Sequence, residues 1–277
     1  MRKFLSMLLA LTATASLAFA ATETVDCGGS ATLNANSKTG YHFVRWEKDG
    51  VQVSTSASYQ VTNIQADASY TAIFAPNTNT PYTVKHYQQN LDGTYPAIAT
   101  DVDNLTGITG APTAAEAKSY TGFTKVNFDQ GTIAADGSTV ITINYTRNTY
   151  ALSWVTDGDV LTGAYTSGQV LYGATITAPN APTKIGYTFA GWTPVTSATM
   201  PAEATTYTAT WTPATVHYTV KHWQQNLAND DYTEVVGDRE DKTGTTGTNT
   251  AAAAKSYTGF NPKLFSQTSI AADGSTV

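Results

Sequence analysis

Hydrophobic positions in this chain alternate with polar ones at a period of two along most of its length. Tyr70, Ala72 and Phe74 form one such run and Ile141, Ile143 and Tyr145 a second. Tyr150, Leu152 and Trp154 form a third, and Tyr207, Ala209 and Trp211 a fourth. A period of two puts every second side chain on one face, so each run predicts a strand with one buried face. Asp-Gly pairs punctuate these runs at Asp49-Gly50, Asp92-Gly93, Asp136-Gly137, Asp157-Gly158 and Asp273-Gly274, and read as turns. Helical signal is confined to Thr113–Lys118 (TAAEAK) and Thr250–Lys255 (TAAAAK), each long enough for one or two turns. The fold class expected is mostly β, with at most one short helix per module.

The pattern itself repeats. Tyr82–Leu91 reads YTVKHYQQNL, and 136 positions later Tyr218–Leu227 reads YTVKHWQQNL. KSYTGF recurs at Lys118–Phe123 and Lys255–Phe260, and AADGSTV at Ala134–Val140 and Ala271–Val277. A fainter repeat interleaves with this one: GYHFVRW (Gly40–Trp46) and GYTFAGW (Gly186–Trp192), followed by SYTAIF (Ser69–Phe74) and TYTATW (Thr206–Trp211). Two unit types therefore alternate, A-B-A-B, over residues 21–76, 81–147, 148–213 and 216–277. Short proline-containing seams, Pro76–Pro81 and Thr212–Thr215, follow the A units. Units of about 55–70 residues hold only marginal cores, so contacts between neighbours would help each one. The expected architecture is a string of small β modules, elongated rather than globular. The first B unit continues into ITINYTR from Ile141, whereas the second has no such segment. Residues 216–277 are thus expected to lack a closing strand, to carry unpaired backbone groups and to be unstable alone.

These phrases carry a family resemblance. GYTFAGW with TYTATW resembles the InlB B-repeat, or Listeria–Bacteroides repeat, of bacterial surface proteins, and GYHFVRW with SYTAIF resembles a divergent relative. The opening VDCGGSATLNA departs from the usual first strand. YTVKHYQQNLDGTY, with TGITG, KSYTGF and VITINYTRN, is similar to MucBP-like modules that accompany those repeats. The resemblance covers nearly all of the chain after residue 20. It implies small β-grasp-like domains on an exported cell-envelope protein, and it brings no catalytic residues with it.

The first residues agree with export. Arg2 and Lys3 precede an apolar and small-residue stretch, and Ala18-Phe19-Ala20 matches the pattern that a signal peptidase accepts, with cleavage placed after Ala20. The stretch is too short and too rich in Ala and Thr for a convincing membrane anchor. Loss of Arg2 and Lys3 with it takes the formal charge from −6 to −8. An acidic chain with 13% charged residues is a poor match for nucleic acid or for an anionic membrane surface. Cys27 is the only cysteine, so no intramolecular disulfide can form. Asp26 before it speaks against a lipoprotein cysteine. An intermolecular disulfide or an incidental thiol is left.

Catalytic signatures are missing. The chain has no G-x-S-x-G, H-E-x-x-H or C-x-x-C motif and no phosphate-binding glycine loop. His86 and His222 fall at equivalent places in the two B units, on the strand face of Val84 and Val220, and read as hydrogen-bonded core histidines. His42 and His217 have no counterpart. Acidic pairs at Asp101/Asp103, Asp157/Asp159 and Asp230/Asp231 could brace a loop through calcium but match no EF-hand spacing, and turn roles are favoured. Lys85 and Lys221 recur without a diagnostic isopeptide motif. Most tryptophans and tyrosines sit at alternating strand positions and read as core. Trp223, in the place of Tyr87, is the exception: these two are the candidate ligand contacts, for a sugar or a peptide.

The composite expectation is a non-enzymatic, secreted or cell-envelope repeat protein with no cofactor and no metal. Its modules would be monomeric and would serve as stalk and interaction surface in an adhesin, meeting a host or cell-surface protein or glycan. The alternative is a carbohydrate-binding array belonging to a larger exported enzyme.

Overall fold

The structure is a computed structural model that describes residues 5–6 and 24–277. The residues read as an export signal, 1–20, lie outside the described residues except for the backbone of Leu5–Ser6. Among the described residues the protein is nearly all β, built from several small sheets in tandem. The one helical element among the described residues is a 3₁₀ turn at Val236–Asp238.

β1 (Leu5–Ser6), which precedes the first module, pairs with β2 (Thr24–Val25), and within the module β3 (Ala31–Asn34) pairs antiparallel with β6 (Ser58–Val61). A separate sheet has the order β5–β4–β7, from Val51–Ser54, Tyr41–Lys48 and Tyr70–Pro76. Asp49 and Gly50 join β4 to β5 with φ of 50° and 79°, a pair of left-handed dihedrals suited to a two-residue hairpin. Leu33, Trp46, Val61, Tyr70, Ala72 and Phe74 form the core between the sheets. The divergent opening is visible here, because β3 pairs with β6 and takes no place beside β7.

The second module carries β8 (Thr80–Gln88), β9 (Asp101–Gly107), β10 (Phe123–Lys125) and β11 (Val140–Arg147) in the order β10–β11–β8–β9. The third carries β12 (Thr149–Val155), β13 (Gly168–Leu171), β14 (Tyr187–Thr193) and β15 (Thr205–Pro213) in the order β13–β12–β15–β14. In both, the first and last strands lie parallel at the centre and the two middle strands flank them antiparallel, a β-grasp-like arrangement. Alternation decides which residues fill the cores. Tyr82, Val84, Ile141, Ile143 and Tyr145 are buried in the second module, and Leu152, Trp154, Val170 and Tyr207 in the third. Trp154 packs edge-on to Trp192 at 4.9 Å and against Tyr207 at 4.7 Å.

The two segments expected to be helical are not. In Thr113–Lys118 the backbone N–H groups go elsewhere: Thr113 to Gly131 O, Ala114 to Tyr82 Oη, Ala115 to Gln130 Oε1 and Lys118 to Tyr145 Oη. Thr250, Ala251 and Ala252 repeat this with Thr268 O, Tyr218 Oη and Gln267 Oε1. A run of six residues gains little from intrahelical bonds after the cost of nucleation. Tertiary acceptors at fixed positions therefore win, and the crossover between the parallel strands runs extended.

The fourth module contains β16 (Thr215–Val220), β17 (Trp223–Gln225), β18 (Tyr232–Glu234) and β19 (Glu240–Thr245). β16 pairs with β19 as β8 pairs with β9, and β17 pairs with β18. Its core is reduced to Tyr218, Val220 and Ile270, with Val216 and Ala252 packed against them.

The chain divides into two compact units, Met1–Arg147 and Asn148–Val277, each holding one A and one B module. The same joint occurs inside both. Asn77 N–H donates to Gly40 O and Asn77 O accepts from Thr109 N–H, at 2.8 and 2.9 Å. In the second unit Ala214 N–H donates to Gly186 O and Ala214 O accepts from Thr246 N–H, again at 2.8 and 2.9 Å. The seams are thus tied to both modules that they connect. Two glycines let the modules approach: a Cβ on Gly40 (φ +77°) would lie 2.7 Å from Ala135 Cα, and one on Gly186 (φ +74°) would lie 2.5 Å from Ala272 O. Gly186→Ala adds a left-handed penalty of about 1–2 kcal/mol to that backbone clash. We expect it to lower the urea midpoint of the second unit while leaving the first unchanged. Equal midpoints for variant and parent would show that the joint is not tight.

Candidate functional site

The B modules concentrate the titratable chemistry. Pairing of β8 with β9 sets His86 opposite Asp101 and Val84 opposite Asp103. Alternation turns His86 inward, where it is fully buried. Its Nδ1 is 2.9 Å from Tyr145 Oη on β11, and its Nε2 is 3.1 Å from Asp103 Oδ2. Lys118 closes the cluster from the crossover segment. Its Nζ donates to Asp101 Oδ2 at 2.5 Å and to Asp103 Oδ1 at 2.7 Å, and its backbone N–H donates to Tyr145 Oη at 2.8 Å. Tyr120 stacks edge-on to Tyr145 at 4.8 Å.

Charges within the cluster stabilise one another. The Lys118 ammonium holds both Asp101 and Asp103 below the usual carboxylate range, and their carboxylates push Lys118 up in turn. Burial pushes the Tyr120 phenol up to about 12. A lysine held charged between two carboxylates is an ion pair and a poor nucleophile. The aspartates' folded pKa values are depressed, so their contribution is full above the unfolded value near ~4 and is lost as pH falls below it. Stability of the second module should therefore drop on acidification below about pH 4. Asp101→Asn with Asp103→Asn should flatten that dependence in acid-unfolding curves. An unchanged acid limb in the double variant would contradict this account.

The fourth module repeats the cluster with different acids. His222 Nε2 lies 2.9 Å from Glu240 Oε1, Lys255 Nζ is 3.2 Å from Asp238 Oδ1, and Tyr257 Oη donates to Asp238 Oδ2 at 2.7 Å. His222 and Tyr257 keep the edge-on contact of His86 and Tyr120, both at 6.4 Å. Asp238 and Glu240 therefore stand where Asp101 and Asp103 stand. The acidic pair therefore recurs in the second B unit. One residue more between the YTVKH phrase and the acids hides it when the copies are aligned from that phrase. Counting back from KSYTGF reveals it, since Asp101 and Asp238 each lie 17 residues before the lysine.

The other acidic sites are occupied by protein donors. Asp157 accepts from Lys184 Nζ at 2.5 Å, Asp159 from the Thr183 hydroxyl, and Asp230 from Gln225 Nε2 at 3.0 Å. Among the described residues no group of three His, Cys, Asp or Glu side chains is placed to hold a metal ion. Cys27 is exposed, with Sγ 3.5 Å from Gln65 Oε1.

β11 covers the cluster in the second module, and Tyr145 completes it. In the fourth module that position is an open groove of about 640 Å³, lined by His222, Trp223, Lys255, Tyr257, Phe260 and Phe265 among others. Of the two candidate contacts, Tyr87 is half-buried within β8. Trp223 is 53% exposed at the groove. Trp46 and Trp154 are buried, as core assignments require. The groove itself was not foreseen as a site.

Residues 8–78 match the family described as the divergent InlB B-repeat domain. Residues 150–217 match the Listeria-Bacteroides repeat domain. The first match begins inside the stretch read as an export signal. The two matched segments are the A modules, and repeats of these families occur in bacterial surface and extracellular proteins. No curated protein matches the chain.

Proposed function

We propose that this chain is a non-enzymatic, exported cell-envelope protein whose modules serve as stalk and interaction surface within an adhesin. The observation that carries this reading is the A–B joint, repeated with the same hydrogen bonds and the same glycine packing in both units. A joint that recurs suits a part whose task is to hold a spacing. The family matches support the surface location, and the KSYTGF and YTVKH phrases support MucBP-like B modules. An export signal at residues 1–20 completes the reading. Small-angle scattering on the chain tests it: an elongated profile is expected, and a compact globule would contradict it.

A second reading has one specific observation behind it. Exposed Trp223, with half-exposed Tyr232 and Phe260 in the same groove, could stack on sugar rings. Saturable binding on a glycan array, lost in Trp223→Ala, would favour a carbohydrate-binding array. A uniformly negative array would remove it.

A further inference from the structure

We infer that the second and third modules are load-bearing clamps, in which tension along the chain is carried in shear by the two central parallel strands. This deepens the stalk reading and rests on it, because a stalk under pull is where such a clamp acts. The path of the chain sets the direction of load. In each of these modules the strand that enters is hydrogen-bonded to the strand that leaves, β8 to β11 and β12 to β15. Parallel strands begin at the same end, so the entry of one and the exit of the other lie at opposite ends of the ladder. Tension therefore slides one strand along the other and loads the bonds of the ladder together. Little slack intervenes: three residues separate β7 from β8, and one residue, Asn148, separates β11 from β12.

The second module is braced most heavily. Its ladder pairs six residues, from Thr83 with Val140 to Gln88 with Tyr145. Thr83 N–H donates to Thr139 O at the entry, and Gln89 N–H donates to Tyr145 O at the exit, both at 2.9 Å. Arg147 adds to the exit. Its backbone N–H donates to Gln89 Oε1 at 3.1 Å, and its guanidinium Nε and Nη2 donate to Gln89 O at 3.1 and 2.9 Å. His86 Nδ1 and Tyr145 Oη, 2.9 Å apart, tie the same two strands through their side chains. Val84, His86, Ile141, Ile143 and Tyr145 are all buried, so one face of the ladder is closed to water. A bond that opens there finds no water to replace it on that side, which raises the cost of opening.

The third module has a shorter clamp of four pairs, from Leu152 with Thr205 to Val155 with Thr208. Ser153 Oγ and Thr206 Oγ1 meet across it at 2.7 Å. The first module is built differently. Among its described residues β3 is held by β6 and β7 by β4, both antiparallel, and no ladder joins β3 to β7. Its two loaded strands are therefore anchored separately, and it is the compliant element. Of these three modules, the order of yielding under rising tension is first, third, second.

Single-molecule force spectroscopy tests this on the full chain with Cys27→Ser, tethered by its two ends. Forced unfolding reads the barrier to strand separation and not the equilibrium stability. The step at highest force is expected to belong to the second module and to release about 20 nm of chain. Lys85→Cys with Thr142→Cys joins two facing residues of that clamp. Oxidation of this pair should abolish the strongest step, and reduction should restore it. Ser153→Cys with Thr206→Cys should remove the third module's step in the same way. Direction separates shear from mere stability. Handles attached at Thr83→Cys and Val140→Cys, at one end of the ladder, open it pair by pair and should unfold the second module at a much lower force. The inference is overturned if the strongest step survives oxidation of the Lys85/Thr142 pair, if the second module yields before the first, or if both pulling directions need the same force. Scattering judges the stalk separately: an elongated chain with weak clamps would keep the stalk and discard this inference.

Discussion

In a polypeptide that stops at Val277, adding ITINYTRN is expected to raise the unfolding midpoint of the fourth module by roughly 10 °C, from a net gain of about 2 kcal/mol in a domain of this size. The gain has identifiable sources. In the second module Ile141, Ile143 and Tyr145 are all buried on β11, and burial of each such side chain contributes about 1.5–3 kcal/mol before costs. An added strand would also cover Phe260 and Phe265 and give the Lys221 and Trp223 amides acceptors. Ordering of the strand opposes this at about 1–2 kcal/mol per residue, which is why the net effect is modest beside the gross one. Limited proteolysis followed by mass spectrometry checks it. The appended chain should resist cleavage between Val216 and Val277 longer than the parent. Equal resistance would mean that the fourth module does not use the strand.

Ile143→Ala is expected to destabilise the second module by about 3 kcal/mol, within the usual range for emptying a fully buried aliphatic site. Ile143 is 0% exposed and sits on the central strand, opposite His86. The cavity would open beneath the His86–Tyr145 contact, where neighbouring strands have little freedom to collapse. No tryptophan lies in residues 81–147, so the transition is best followed by hydrogen exchange at the β8 amides. Ile98→Ala is the control. At 83% exposed it should change stability by less than about 0.5 kcal/mol. Similar effects from both substitutions would contradict the core assignment.

Much of this fold was legible in local pattern. Tyr70, Ala72 and Phe74, and likewise Ile141, Ile143 and Tyr145, alternate in the sequence and are buried in the structure. Such alternation reflects a property of the strand itself, so it survives without knowledge of partners. Thr113–Lys118 misled because propensity describes an isolated helix. The residues that decide its path, Tyr82, Gln130 and Tyr145, are distant in sequence. The pairing of β3 with β6 was hidden for the same reason.

The candidate site was half legible. His86 and His222 stand out because their phrase repeats, whereas Asp238 and Glu240 fall one residue out of step with Asp101 and Asp103. A cluster is a property of the sheet register, and register is fixed by the pairing of β8 with β9, not by linear spacing. The groove beside β16 lies where β11 stands in the second module. Its aromatic lining, and the kept positions of His222 and Lys255, emerged only from the three-dimensional arrangement.

The central claim is that the two B modules are one fold, with β16 and β19 paired as β8 and β9 are. Hydrogen exchange on a polypeptide that stops at Val277 addresses this most directly, by comparing Lys85 and Tyr87 with Lys221 and Trp223. The account predicts slow exchange for the first pair, fast exchange for the second, and slow exchange for both once ITINYTRN is appended. Protection of Lys221 and Trp223 equal to that of Lys85 and Tyr87 in the unmodified chain would contradict it.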